Sequence, residues 1–226
     1  MKVSVVIPAR NEEKYIGKCL QSLLEQEEKA DEIIVVDNNS SDKTAEIAKS
    51  YGARVLEEKT QGITYARTLG FNSAKSEIIA RVDADTTVPK DWILRIKKHF
   101  EDKNTNVIFG PFHYFNLPKR IQISDKPSIA YSKFLKLFLK NNILYGANMA
   151  LRASVWNRVK ADLCANDKDV HDDFDLAFHL WKYTEIKFDE KLVASTSSRR
   201  LKNFVSYIEY INRLRKMLKA HKANSH

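Results

Sequence analysis

Residues 2–13 read KVSVVIPARNEE, and residues 77–86 read EIIARVDADT. Each begins as an apolar run with β-branched residues and turns polar without a gap. Lys2 to Pro8 has the pattern of a strand buried on both faces. Working outward, Ile16, Leu20, Leu23 and Leu24 fall on one face of a helix. Glu32 to Val36 repeats the strand signal. Ser40 and Ser41 then predict the cap of a helix through Tyr51, which Gly52 stops. Arg54 to Glu57 is a third strand, about Gly62 to Ala74 a helix, and Glu77 to Val82 a fourth strand. This alternation predicts a parallel sheet with helices on its faces. Right-handed crossovers bring the carboxyl ends of the strands to one edge, where ligands bind. The polar stretches Ala9–Glu13, Asp37–Asp42 and Asp83–Thr86 should therefore meet.

After Asp85 the rhythm changes. Pro89 opens a helix carrying Trp92, Ile96 and Phe100, and Asn106 to Gly110 is a strand. Phe112 to Pro127 reads as irregular. A helix from about Ser128 to Lys140, a strand Ala147 to Arg152 and a short helix from Ser154 follow. The second half is thus expected to be α+β, with a mixed sheet, packed beside the first.

A length of 226 residues suits one domain, or one domain with a short appendage. Hydrophobic residues at 43% and charged residues at 30% exclude a disordered or fibrous chain. Cys19 and Cys164 are too few for a disulfide framework and read as thiols of a reducing compartment. The first residues lack the basic start and long apolar core of a signal peptide. No run of about 18 apolar residues is present, which excludes a spanning helix. A net charge of +9 favours anionic partners without choosing among nucleotide phosphates, lipid head groups and nucleic acid.

Asp83 and Asp85 stand at i and i+2 after a buried strand, so both carboxylates can reach one divalent cation, Mn or Mg. Such an ion could bridge the phosphates of a nucleotide sugar and neutralise a leaving diphosphate. An isolated Asp-x-Asp is commonly a pair of solvated turn acids. Its place beside two other polar strand ends favours the cation.

These segments, VVIPARNEE at 5–13, EIIVVDNNSSDKT at 32–44 and GITYARTLGFNSAKSEIIARVDADT at 62–86, resemble family 2 glycosyltransferases of the GT-A fold. YGANMALRASVW at 145–156 and HDDFDLAFHL at 171–180 resemble that family's acceptor-side segments. The likeness runs from Lys2 to about Leu201. It implies a GT-A nucleotide-binding sandwich over residues 1–200, with a nucleotide-sugar half (1–110) and an acceptor half (111–200). A basic C-terminal helix or tail would occupy 201–226. It further implies that Pro8, Arg10, Glu12, Asp37 and Asn38 line the donor's base and ribose, and that Arg67 approaches its phosphates or base. Asp83 would contact ribose or metal, and Asp85 would be the principal metal ligand. Asn38 stands where many members carry a second acid. Asp172-Asp173 replaces the usual Glu-Asp, which leaves Asp173 as the general base of an inverting transfer. As bare residues, Glu12, Asp172 and Asp173 also suit the starts of helices, and Asp37 suits a cap or turn.

Arg199 and Arg200 could close over a diphosphate, since a guanidinium grips phosphate oxygens bidentately, or be a surface pair. From Leu201 on, a basic amphipathic helix could lie on an anionic membrane. The helix bearing Tyr131, Phe134, Leu135 and Phe138 among Lys133, Lys136 and Lys140 could assist. The ordinary use of both stripes is packing on the core or on a partner subunit, lysines outward. The expectation is a cytoplasmic transferase, at the inner membrane face if the tail docks. Its donor is UDP- or GDP-linked, and its acceptor a saccharide or lipid-linked group. A nucleotidyltransferase is disfavoured because PARNEE has no glycine to wrap phosphates. A binding module for nucleic acid is disfavoured by the absence of any recognition signature.

Overall fold

Val3, Val5 and Ile7 face one buried layer and Val6 the other, so the first strand has no side to give to water. Such a strand belongs inside a sheet. The structure is a computed structural model and describes residues 1–117, 125–164 and 171–199. Its elements begin with β1 (Val3–Ala9), α1 (Ile16–Leu24), β2 (Glu32–Asp37), α2 (Thr44–Ser50), β3 (Arg54–Glu57) and α3 (Ile63–Ser73). Next come β4 (Ile78–Arg81), β5 (Thr86–Thr87), α4 (Trp92–Glu101), β6 (Val107–Phe109), β7 (Phe112–Tyr114) and α5 (Lys126–Leu139). The remainder is β8 (Met149–Arg152), α6 (Ala153–Val159), α7 (Asp172–Leu180), β9 (Ile186–Phe188) and β10 (Ala194–Thr196).

Seven strands form the central sheet in the order β3-β2-β1-β4-β8-β6-β9. The first four are mutually parallel. β8 runs antiparallel between β4 and β6, which makes the other end mixed, as expected. On one face Ile16, Leu20, Leu23, Trp92, Ile96 and Phe100 of α1 and α4 pack on Val5, Ile7 and Ala80. On the other, Phe71, Trp156, Leu176 and Leu180 of α3, α6 and α7 pack on Val6, Ile34 and Ile79. Trp92 and Trp156 are fully enclosed, one in each layer. Truncating either to alanine would cost about 3–5 kcal/mol. The helix α3 passes so close to the sheet at Gly70 that a Cβ there would strike Val6 and lie 3.0 Å from Val36 Cγ2.

Three local expectations are corrected. Ser40 and Ser41 do not cap α2, which starts at Thr44, whose N–H donates to Asp42 Oδ1 at 3.0 Å. The two serines instead fasten the loop after β2 to the loop after β1. Asn11 N donates to Ser40 Oγ at 3.0 Å, and Ser41 N donates to Asn11 Oδ1 at 2.9 Å. Second, 112–114 is a strand, which belongs with β5 and β10 to a separate three-stranded sheet. Its partner lies some eighty residues further on, so local sequence carries no sign of the pairing. Third, α5 begins at Lys126, with Pro127 in the first turn, where proline is tolerated. Among the described residues no helix is long and apolar enough to cross a membrane.

Candidate active site

Register sets Ala9 beside Asp37 and Arg81 beside Val6. The chain therefore leaves β1, β2 and β4 along one edge, and the three polar stretches meet there. Asp85 is buried. It forms an ion pair with Arg199, whose Nε lies 3.0 Å away, and accepts from the Thr196 hydroxyl at 3.4 Å. The same guanidinium pairs with Glu12 and lies over the Tyr15 ring, 5.0 Å from its centre. Arg199 arrives because β10 pairs with β5, Thr196 opposite Thr86, and because Ser198 N donates to Asn116 Oδ1 at 2.6 Å.

A second cluster adjoins the first. Arg81 ends β4 and shares the face of Ile79, two residues earlier, which looks toward α7. Its buried guanidinium reaches Asp83 Oδ1 at 3.3 Å and Asp173 Oδ1 at 3.3 Å, and also pairs with Asp172. Asp172 receives a second guanidinium from Arg67 on α3. Three carboxylates thus share two guanidinium groups. Both aspartates open α7, where backbone N–H groups and the helix dipole favour anions. Gly146 closes the cluster. A Cβ there would run into Asp173 Oδ1 and sit 2.6 Å from the guanidinium carbon of Arg81.

The two neighbouring acids differ in proton affinity. Burial opposes ionisation of Asp172, but Arg67 and Arg81 outweigh it and hold its carboxyl below the usual range. Burial pushes Asp173 up to about 7, opposed by Arg81 and reinforced by the negative charges of Asp172 and Asp83. Its side chain keeps 25% of its surface open, so it can still meet a ligand. Behind the edge, the Cys19 thiol lies 3.7 Å from the Asp83 carbonyl oxygen. Burial and then the nearby acids raise its pKa, so it stays a neutral thiol. Both cysteines are free, in keeping with the sequence.

The edge presents carboxylates that a divalent cation could use. Among the described residues no group of three His, Cys, Asp or Glu converges to hold a metal. Asp83 and Asp85 can offer two carboxylates, and magnesium-type sites use one or two and complete the shell with phosphate oxygens and water. The seating of Arg199 between Asp85 and Glu12 shows that this spot holds positive charge. Asp37, at the end of β2, adds a buried Oδ1 without a hydrogen-bond partner.

Other expected residues fall differently. Arg67 is fully buried and spends its charge on Asp172, donating also to the Asp172 carbonyl at 3.1 Å. These contacts turn it toward α7. Asn38 is also enclosed. Its amide donates to the carbonyls of Glu58 (3.0 Å) and Thr60 (2.6 Å), and its oxygen accepts from Gly62 N at 2.8 Å. An amide, with donors and an acceptor, can knit those three backbone groups, whereas a carboxylate has no donor to give the carbonyls. Pro8 is buried within β1 and Arg10 is exposed just past it. Arg200 and the tail from Leu201 lie outside the described residues. Arg81 escaped the sequence reading, although a lone charge in an apolar strand, at the parity of Asp83, was its signal. Two surface depressions, about 390 and 420 Å³, lie beside α4 and include none of these acids.

A parallel sheet continued by a mixed one, with acids at the switch between them, defines the GT-A class of nucleotide-sugar-binding folds. Solved structures agree on the fold. The mannosyltransferase PcManGT of Pyrobaculum calidifontis, in complex with GDP-Man and Mn2+, superposes with a TM-score of 0.72. It is 19% identical, over 96% of this chain and 64% of that one. TarS residues 1–349 of Staphylococcus aureus, in complex with UDP-GlcNAc, gives 0.69 at 20% identity, over 88% of this chain and 59% of that one. Residues 4–159 match Glycosyl transferase family 2, and the chain belongs to that family. Among curated relatives, the glycosyltransferase GlyA of Streptococcus pneumoniae is 31% identical over 120 residues, 51% of this chain and 17% of that protein. The 4,4'-diaponeurosporenoate glycosyltransferase of Staphylococcus aureus is 42% identical over 91 residues, 38% of this chain and 24% of that protein. The chain thus matches less than a quarter of the length of either.

Proposed function

We propose that this protein transfers a sugar, with inversion, from a nucleoside-diphosphate sugar to an acceptor hydroxyl or phosphate, assisted by a divalent cation. The observation that carries this reading is the Arg81 bridge, which sets Asp83 and Asp173 against one guanidinium from two distant parts of the chain. Donor-side acids and a candidate base are thereby neighbours. Family membership and structural neighbours complexed with GDP-Man or UDP-GlcNAc support the donor class.

Asp85, with Asp83, would hold the cation, which when bound would supply positive charge to the diphosphate. Asp37, with Pro8, Arg10 and Glu12, lines the donor's base and ribose. Arg199, and Arg200 next to it in sequence, grip phosphate oxygens. Asp173 takes the proton of the acceptor hydroxyl as that oxygen bonds to the anomeric carbon, on the face opposite the leaving diphosphate. A base so placed contributes on the order of 10²–10⁴ in rate. Arg81 and Gly146 fix its carboxylate, and Asp172 keeps Arg81 in place.

The test is release of nucleoside diphosphate from UDP- and GDP-linked sugars by the full chain, with Mn2+, with Mg2+ and with chelator. Release should require metal, and the product should carry the inverted anomeric configuration. Because ionised Asp173 is the base, the rate should rise with pH through about 7. Turnover indifferent to chelator, or a retained configuration, overturns the mechanism. Failure of every donor to bind overturns the function.

A further inference from the structure

Eight large hydrophobic side chains are exposed among the described residues, and four of them gather on α5. They are Tyr131, Phe134, Leu137 and Phe138, with Phe134 at 55%, Leu137 at 79% and Phe138 at 70% exposure. Met1, Leu24, Leu94 and Tyr183 belong to other parts of the chain. Isolated exposed apolar residues are normal in soluble proteins, but a contiguous set has a use. The four lie along one side of the helix at i, i+3, i+6 and i+7, and the Phe134 and Phe138 rings touch, centroids 4.8 Å apart.

The opposite side of α5 is already engaged, so the helix cannot roll to hide them. Leu135 and Leu139 pack against Ile143 and Phe174. The Ser128 hydroxyl donates to the Phe112 carbonyl at 2.8 Å, and the Ser132 hydroxyl meets the Tyr145 hydroxyl at 2.8 Å. The sequence leads one to expect a single apolar stripe turned inward. The structure divides it, Leu135 inward and Tyr131, Phe134 and Phe138 outward, and adds Leu137 to the outer set.

Charge distinguishes the candidate occupants. From Lys126 to Lys140 the segment has four lysines, at 126, 133, 136 and 140, and no acid. Only Lys133 has a described carboxylate partner, Glu190 at 2.6 Å. Protein–protein interfaces are depleted in lysine. Helices that lie in a lipid interface combine large apolar residues on one side with lysines whose stems reach to the head groups. Anionic lipids add an attraction of their own for each lysine.

We propose that α5 docks on an anionic lipid surface, with Phe134, Leu137 and Phe138 inserted and Lys126 and Lys140, which flank Leu137, at the head groups. The docked helix adjoins the Asp173 side of the cleft, because Tyr145, bonded to Ser132, precedes the Gly146 that lies against Asp173. On the transferase reading, that orientation presents the acceptor side to molecules held in the surface. The docking itself does not depend on that reading.

The experiment is co-sedimentation of the full chain with vesicles of phosphatidylglycerol and of phosphatidylcholine. The wild type should bind the former and leave the latter largely unbound. Leu137→Glu/Phe138→Glu should weaken partition onto phosphatidylglycerol by about 100-fold or more. Lys126→Gln/Lys140→Gln should weaken it about 20-fold. Nucleoside-diphosphate binding in solution should persist in both variants, which separates this result from any failure of the transferase reading. Absence of vesicle binding by the wild type overturns the proposal. So does binding that both variants retain, which would place the contact elsewhere in the chain. Concentration-dependent dimers that Leu137→Glu/Phe138→Glu abolishes, without vesicle binding, would assign the face to a second copy and equally overturn it.

Discussion

Arg81 and Arg199 each bridge carboxylates at the same sheet edge, yet they are built in opposite ways. The Arg81 side chain is 3% exposed, ends a central strand, and meets acids from β4's exit and from α7. The Arg199 side chain is 32% exposed and follows the last described strand. Removing one partner of a buried pair strands a charge away from water, whereas a half-open pair can trade its partner for solvent or a ligand. The first arginine therefore belongs to the frame of the site. The second is an exchangeable cation, suited to trade a carboxylate for solvent or a ligand.

The sharpest way to break this contrast is at the acids themselves. Asp173→Asn should lower turnover by about 10²–10⁴ while donor affinity, read by calorimetry, stays within about threefold of wild type. Equal turnover would move the base elsewhere. Arg81→Met should reduce folding stability by about 3–5 kcal/mol in urea, because Asp172 then lacks one of its two buried guanidinium partners. A loss under about 1 kcal/mol would mean the cluster is wetter than the structure shows. Asp85→Asn should weaken Mn2+-dependent binding of UDP or GDP by at least about 100-fold and leave metal-free binding nearly unchanged. Arg199→Ala should alter stability by less than about 1 kcal/mol. A large loss there would make the two arginines alike.

Half of this contrast was legible in the sequence. KVSVVIP, EIIVV and EIIARV announce buried strands because their apolar residues leave no polar face, and the acids after them sit at predictable ends. Periodicity also placed Trp92, Ile96 and Phe100 on one helix face. It could not show that Phe112–Tyr114 and Ala194–Thr196 pair, since each is three residues long and the partners are remote. Nor could it show that Arg67 turns to α7 or that Asn38 knits three backbone groups, because both depend on segments far along the chain. The outward set on α5 was hidden for another reason. Residues 131–139 are apolar on two sides, and a helical period does not say which side the core will take.

The Thr86–Thr196 pairing also bears on the order in which the molecule is made. A ribosome delivers Glu12, Arg81 and Asp85 long before it delivers Asp172, Asp173 and Arg199. Until then Arg81 has Asp83 but neither acid of α7, and Glu12 and Asp85 lack Arg199, so a growing sheet cannot bury these charges cheaply. The ion pairs of this edge are thus completed only when the last described strand, β10, and Arg199 behind it have been made.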